Sequence, residues 1–333
     1  MKKLLSLLAA IALVFTLGAC EPIPNTGSGN GGNVPAPASV TVYAPDGAPA
    51  VAISKIINDG KIGNTEATVN IVAGADLLTT NVANGSADVA VMPVNLAAKT
   101  YNGGVKIKLV SVNIFGCLYM VGKTPVTALT DLVGKVVYNI GRGGTPDLTL
   151  KYVLQKNNIA FVESETAVEG KVALQYVSAG SELIPMLKNG SAEYGVLGEP
   201  AVTQCNKVAG TSVVLNLQEE WKKVAGEDYT QAGVVVKQEL AESEEFMTAL
   251  TAVLGETTAW ASENASSIKG KLNGAGSTLA VEFTPEIITK ANLGYQIAGQ
   301  AKSKIEAYFN VLMGFNAKLI GDKLPDANFY YGV

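Results

Sequence analysis

The chain contains no histidine. That removes the Ser-His-Asp and Cys-His nucleophile systems and every histidine metal site, leaving a hydrolase only a Ser-Lys or two-carboxylate design. No constellation of carboxylates or lysines calls for such chemistry, so we expect no enzyme, no cofactor and no metal. Charge is also scarce: 16% of residues are charged and the net charge is −4. A mildly acidic chain without clustered cations is a poor nucleic-acid binder. Arginine is nearly absent, since the 25 Lys plus Arg include only Arg142. Three cysteines are too few for a disulfide scaffold. What remains is ample apolar material, 48% of 333 residues, enough for about two domains with real cores.

The first residues read as an address. Lys2 and Lys3 precede an apolar run, Leu4 to Ala19, that ends Leu17-Gly18-Ala19-Cys20. A basic start, an apolar stretch and small residues before a cut mark a secretory signal, here 1–19. The run ends too soon for a confident membrane span. The small-small-Cys ending resembles the bacterial lipobox, with Cys20 as the lipidated residue. The alternative is an ordinary signal in which Cys20 falls there by chance. A tether follows over 20–38. Of the 19 residues Glu21–Ser39, 13 are Gly, Pro, Ser or Asn, a composition that buries too little apolar surface to order itself. The expected location is therefore outside the cytoplasm, held to the bacterial membrane by lipid. An exported protein could pair Cys117 and Cys205, but they fall in different halves of the organisation below, where a bridge would lock a hinge, so two separate thiols are the favoured reading.

Beyond Ser39, β-rich runs alternate with helical patterns, which predicts an α/β architecture. Strands are expected near Val40–Tyr43, Val69–Val72, Ala87–Val91, Lys108–Ile114 and Cys117–Gly122, with helices near Ala48–Asn58 and Asp76–Asn84. A second block has strands at Lys135–Ile140, Val172–Val177 and Tyr194–Leu197, and helices at Pro146–Asn157 and Ser181–Lys188. A third change brings a strand at Ala232–Lys237 and long helices. Phe246, Leu250, Val253, Thr257 and Trp260 recur at helical spacing. Thr284-Pro285 predicts a cap and first turn. A last helix over about Gln300–Met313 turns Ile305, Tyr308, Phe309 and Leu312 inward.

The most informative stretch is Gly141-Arg142-Gly143-Gly144-Thr145-Pro146-Asp147, between a predicted strand and a predicted helix. Glycines let the backbone approach a ligand closely, and the amide end of the helix favours an anion or polar head group. Arg142 suits a carboxylate, sulfonate or phosphate. The stretch lacks the Gly-Lys-Ser/Thr ending of a P-loop. A dinucleotide fingerprint would want a small residue where Pro146 stands, although Glu163 lies about where its acid belongs. A glycine-rich turn with no ligand stays open as the plain alternative. Glu199-Pro200 reads equally as a first helical turn and as a carboxylate aimed into a cleft. Ala44-Pro45-Asp46-Gly47-Ala48 and Met92-Pro93-Val94-Asn95 sit at the carboxyl ends of strands, where open α/β sheets bind ligands.

The order of motifs resembles the substrate-binding proteins of ABC importers, in the branch with nitrate-, sulfonate- and taurine-type and thiamine-precursor-type members. The resemblance rests on Pro45-Asp46-Gly47, Gly85-Ser86-Ala87-Asp88-Val89-Ala90 before Pro93-Val94-Asn95, and Leu129-Thr130-Asp131-Leu132-Val133-Gly134-Lys135. It continues through Gly143-Gly144-Thr145-Pro146, Glu199-Pro200 and Gln231-Ala232-Gly233-Val234. It implies a type II periplasmic binding-protein fold, two α/β lobes with a ligand cleft and two hinge crossovers. Lobe one would be 39–133 plus 232–333 and lobe two 134–231. It also implies a permease and an ATPase as partners, and a monomer that captures a small molecule and delivers it for import. Ligand positions carry over to Asp46, Gly47, Asn95, Gly144, Thr145 and Glu199. Ala48, Arg142 and Gly143 are expected to bind the ligand beside them, and Phe115 and Tyr119 are weaker aromatic candidates, because strands near a cleft also bury aromatics for packing. A helix N-terminus with Arg142 favours an anionic head group, whereas Glu199 and the aromatics suit a nitrogen heterocycle. The class alternatives are an enzyme or a ligand sensor on the same fold.

Overall fold

The computed structural model describes residues 34–333. The expected signal segment, Cys20 and all but the end of the tether lie outside the described residues.

Two sheets organise the chain. The first has seven strands, in spatial order Leu293–Ile297, Ile107–Ile114, Ala232–Lys237, Val89–Pro93, Ser39–Pro45, Thr65–Val72 and Lys61–Ile62. The second has six: Ser212–Asn216, Leu118–Gly122, Tyr194–Gly198, Val136–Ile140, Val172–Val177 and Phe161–Glu163. Parallel pairing dominates one half of each sheet, as where Val42 stands opposite both Val69 and Val89. Ala232–Lys237 and Leu118–Gly122 are antiparallel to both their neighbours. Central strands are covered on both faces by helices, so they read as unbroken apolar runs: Val89, Ala90, Val91 and Met92 are all buried. Each sheet with its helices forms one α/β lobe.

Two expectations need correction. The strand Leu118–Gly122, read as completing the first block, hydrogen-bonds to Tyr194–Gly198 and Ser212–Asn216 in the second sheet. An apolar strand sequence states that the strand is buried but not which sheet buries it. The chain thus leaves the first sheet at Phe115-Gly116-Cys117. The helix expected over Ala48–Asn58 is two short ones, Ala48–Val51 and Ser54–Asp59. Ile53, Ile56 and Val51 all reach the core, but only by way of the break between the two turns.

Helix ends follow the sequence closely. Thr284 accepts from the Ile287 N–H at 3.3 Å, and Ser243 from the Phe246 N–H at 3.4 Å, opening the helix Glu244–Glu263. The last long helix, Ala298–Phe315, buries Ile305, Tyr308, Phe309 and Leu312 as the pattern requires. An aromatic cluster ties this helix to the second lobe. Trp221, on the helix Leu217–Ala225, lies 4.4 Å from Tyr152, 5.0 Å from Tyr229 and 5.6 Å from Tyr308 between ring centroids. Such tilted pairs each add roughly 0.5–1.5 kcal/mol beyond burial. Cys117 and Cys205 are both buried and free.

Candidate functional site

Two crossovers join the lobes side by side, and two glutamines hold the first of them at Cys117 and Leu118. The Cys117 N–H donates to the Gln231 side-chain oxygen at 3.0 Å, and the Leu118 N–H to the Gln218 side-chain oxygen at 2.6 Å. The Gln231 N–H donates to the Ile114 carbonyl at 2.9 Å. Gly116, between the lobes, has φ +100°, and a Cβ there would meet the Gln218 side chain at 2.7 Å and the Tyr229 ring at 3.1 Å. Only glycine meets both demands.

Beside the crossovers the lobes meet through polar groups. The helix Thr145–Lys156 opens the second lobe's glycine turn, with Gly144 as its cap residue. Asn95, in the first turn of Val94–Asn102 on the first lobe, is fully buried. Its amide nitrogen donates to the Gly143 carbonyl at 3.3 Å. The Thr145 hydroxyl, also buried, lies 3.4 Å from both the Asn95 side-chain oxygen and the Gln231 carbonyl. One hydroxyl hydrogen serves these two acceptors in alternation. Asn95, Gly143, Gly144 and Thr145, picked out by the sequence, are therefore brought together.

Glu199 stands on the other side of Gln231. Its N–H donates to the Cys117 carbonyl at 3.1 Å, and the Gln231 amide nitrogen reaches the Cys117 sulfur at 3.4 Å. The Glu199 carboxylate is 3% exposed and accepts from the Thr203 hydroxyl at 2.9 Å and N–H at 3.1 Å. It forms no ion pair among the described residues. Burial raises its carboxyl above the ordinary 4.5, with the Thr203 bonds and the Lys290 charge partly opposing. Tyr119 is next to it. Its hydroxyl donates across the lobes to the Lys290 carbonyl at 3.2 Å. Burial, with the neighbouring Cys117 and Glu199, pushes Tyr119 to about 12. Cys117 is likewise pushed up to about 12, first by burial.

The other expected site residues are occupied elsewhere. Asp46 accepts from the Ser277 hydroxyl at 2.6 Å and from the Thr278 N–H and hydroxyl, both at 2.8 Å, so its carboxylate fastens the 277–278 loop. Gly47 is partly exposed as the cap of Ala48–Val51, and Ala48 is buried in the first lobe's core. The Phe115 ring packs against Gly294, with the Lys304 ammonium 5.7 Å above it. Arg142 is exposed: its guanidinium pairs with Glu163 and lies 5.0 Å over the Tyr176 ring. The structure does not bring it to Asn95 and Thr145.

Sequence reasoning missed Gln218 and Thr203, and gave no role to Gln231 or Asp147, although both stand in stretches it singled out. Gln231 carried a signal, since it begins a motif quoted for the family resemblance. Thr203 could have been found four residues after Glu199, in the first turn of the helix Ala201–Ala209 that follows it. Two further contacts cross between the lobes at the rim. The Ala280 N–H donates to the Gln204 side chain at 2.9 Å, and a Cβ on Gly74 would stand 3.0 Å from the Ser178 carbonyl.

No family model matches this chain, and no curated protein does. Solved structures do. An ABC transporter protein from Parabacteroides distasonis superposes with a TM-score of 0.72 at 24% identity, covering 88% of this chain and 99% of that one. The periplasmic aliphatic sulphonate binding protein SsuA from Escherichia coli gives 0.65 at 10% identity, covering 89% and 92%. The periplasmic nitrate-binding protein NrtA from Synechocystis gives 0.57 at 15% identity, covering 72% and 67%. At such identities the likeness establishes the fold, two α/β lobes.

Proposed function

We propose that the chain is the extracytoplasmic solute-binding component of an ABC importer. It takes a small organic molecule between its lobes and delivers it to a permease driven by an ATPase, with a lipid on Cys20 as its tether. The observation that carries this reading is the junction itself: buried polar groups from both lobes and both crossovers converge around Gln231. We assign the binding face to Asn95, Gly144, Thr145, Tyr119 and Glu199, with Gly47 at its edge. Asp46, Ala48, Phe115 and Arg142 act as supports.

The fold gives closure its physical basis. Each lobe holds part of the contact set, so a ligand touching both favours the closed arrangement by its differential affinity. A few kcal/mol of such difference moves the population decisively. With Arg142 engaged by Glu163, the assigned face offers neutral hydroxyls, backbone amides at a helix start, and one buried carboxyl. That set suits a polar, hydrogen-bonding head group. Sulphonate and nitrate, named for two proteins of the same fold, are the anionic alternatives to be screened alongside.

Native mass spectrometry of the purified protein tests the reading. A non-covalent adduct of small-molecule mass, released on denaturation and rebound on refolding, is the expected result. Failure of any compound to bind, across the released fraction and a screen of polar metabolites, sulfonates and nitrate, would count against it.

A further inference from the structure

Asp147 sits in the first turn of the helix Thr145–Lys156 and is fully buried. Its carboxylate accepts three hydrogen bonds: the Gly143 N–H at 2.8 Å, the Tyr176 hydroxyl at 2.9 Å and the Lys151 ammonium at 2.9 Å. Behind it, Glu163 accepts from Lys151 at 3.2 Å and pairs with Arg142, whose guanidinium covers the Tyr176 ring. Gly143 has φ +74°, a left-handed conformation that glycine adopts without steric cost, so the direction of its peptide is set by its hydrogen bonds. The same residue that gives its N–H to Asp147 gives its carbonyl to Asn95 on the other lobe.

We propose that Asp147 is a positioning residue for lobe engagement: it fixes the glycine turn so that the Gly143 carbonyl and Thr145 hydroxyl face Asn95. A side chain at the third helical position often reaches back to cap a helix start. Here it reaches one residue further, past Gly144, and so fixes the peptide that crosses between the lobes. Arg142 and Glu163 serve the same end by holding Lys151 and Tyr176 in place. Asp147 thus acts on the cleft through Gly143 without touching what the cleft holds. The inference deepens the solute-binding reading and rests on it for its purpose, but its geometry does not.

The test uses the full chain with no ligand added, so its failure leaves solute binding standing. Amide exchange is followed by NMR in the wild type, Asp147→Asn, Asn95→Ala and the double variant. In Asp147→Asn the Gly143 amide should exchange about tenfold faster, with the Val172–Val177 amides unchanged. The ligand-free wild type keeps a closed fraction held by this contact, so small-angle scattering should show both single variants more expanded than it, and the double variant no more expanded than Asn95→Ala, because both act through one contact. Unchanged Gly143 protection overturns the proposal. So does a uniform loss of protection across the second sheet, which marks a merely structural aspartate, and so do additive expansions. If Asp147→Asn fails to fold, Tyr176→Phe, which removes one bond to the same carboxylate, carries the same expectations at smaller size.

Discussion

Arg142 and Glu199 lie in the same lobe, and their surroundings are opposite. The arginine side chain is 63% exposed and already paired with a carboxylate and an aromatic ring. The glutamate is 3% exposed, and among the described residues only the Thr203 hydroxyl and N–H donate to its carboxylate. A charge that is exposed and satisfied contributes little to anything. One that is buried without a counter-ion costs stability, and a fold retains it where it does something else. Rarity in the composition drew attention to Arg142, whereas burial, which composition does not show, singles out Glu199.

Four measurements sharpen this contrast. The largest effect is expected for Glu199→Gln on ligand retention. Losing a hydrogen bond to a charged group costs roughly 1.5–3 kcal/mol, so the variant should lose at least tenfold in affinity for the co-purified compound. Undiminished occupancy in native mass spectra would remove Glu199 from the site. Next is Asn95→Ala, which strands the Gly143 carbonyl and weakens the Thr145 contact. Chemical denaturation should register a loss of about 1–2 kcal/mol, and no loss would show the junction to be idle.

The same Glu199→Gln variant should behave in reverse toward stability. Burial raises the native carboxyl above 4.5, so protonation favours the folded chain. The wild type's relative stability is therefore greatest below that value and is lost as pH rises through the higher native one. At neutral pH the glutamine variant should melt no lower than the wild type, and it should lose ground as the solution is acidified. A variant that melts lower at neutral pH but not in acid would reverse the sign. Smallest is Arg142→Ala. An exposed pair of this kind is worth under about 1 kcal/mol, and the compound should remain bound. Loss of the compound in this variant, comparable to that in Glu199→Gln, would restore Arg142 to the binding face.

Much of the fold was legible because its signals are local. Alternating runs gave the order of strands and helices, Thr284-Pro285 gave a helix start, and the spacing of Ile305, Tyr308, Phe309 and Leu312 gave a buried face. Strand Leu118–Gly122 was placed in the wrong block because sheet membership is set by partners about 75 and 95 residues away, Tyr194–Gly198 and Ser212–Asn216. The edge strands Phe161–Glu163 and Leu293–Ile297 went unseen: each is short and half-buried, so neither alternates strongly. At the site, the glycine turn and Asn95 could be named one at a time. Their meeting could not, since it depends on how one lobe docks against the other. The partners of Asp46 were hidden for a similar reason. A carboxylate after a strand looks the same whether it faces a ligand or a loop 231 residues further on.

The central claim is that the lobes close on what they bind, and scattering in solution addresses it most directly. Protein stripped of its compound by unfolding and refolding should show a larger radius of gyration than the same sample after the compound is restored. Identical profiles at saturating compound would contradict closure.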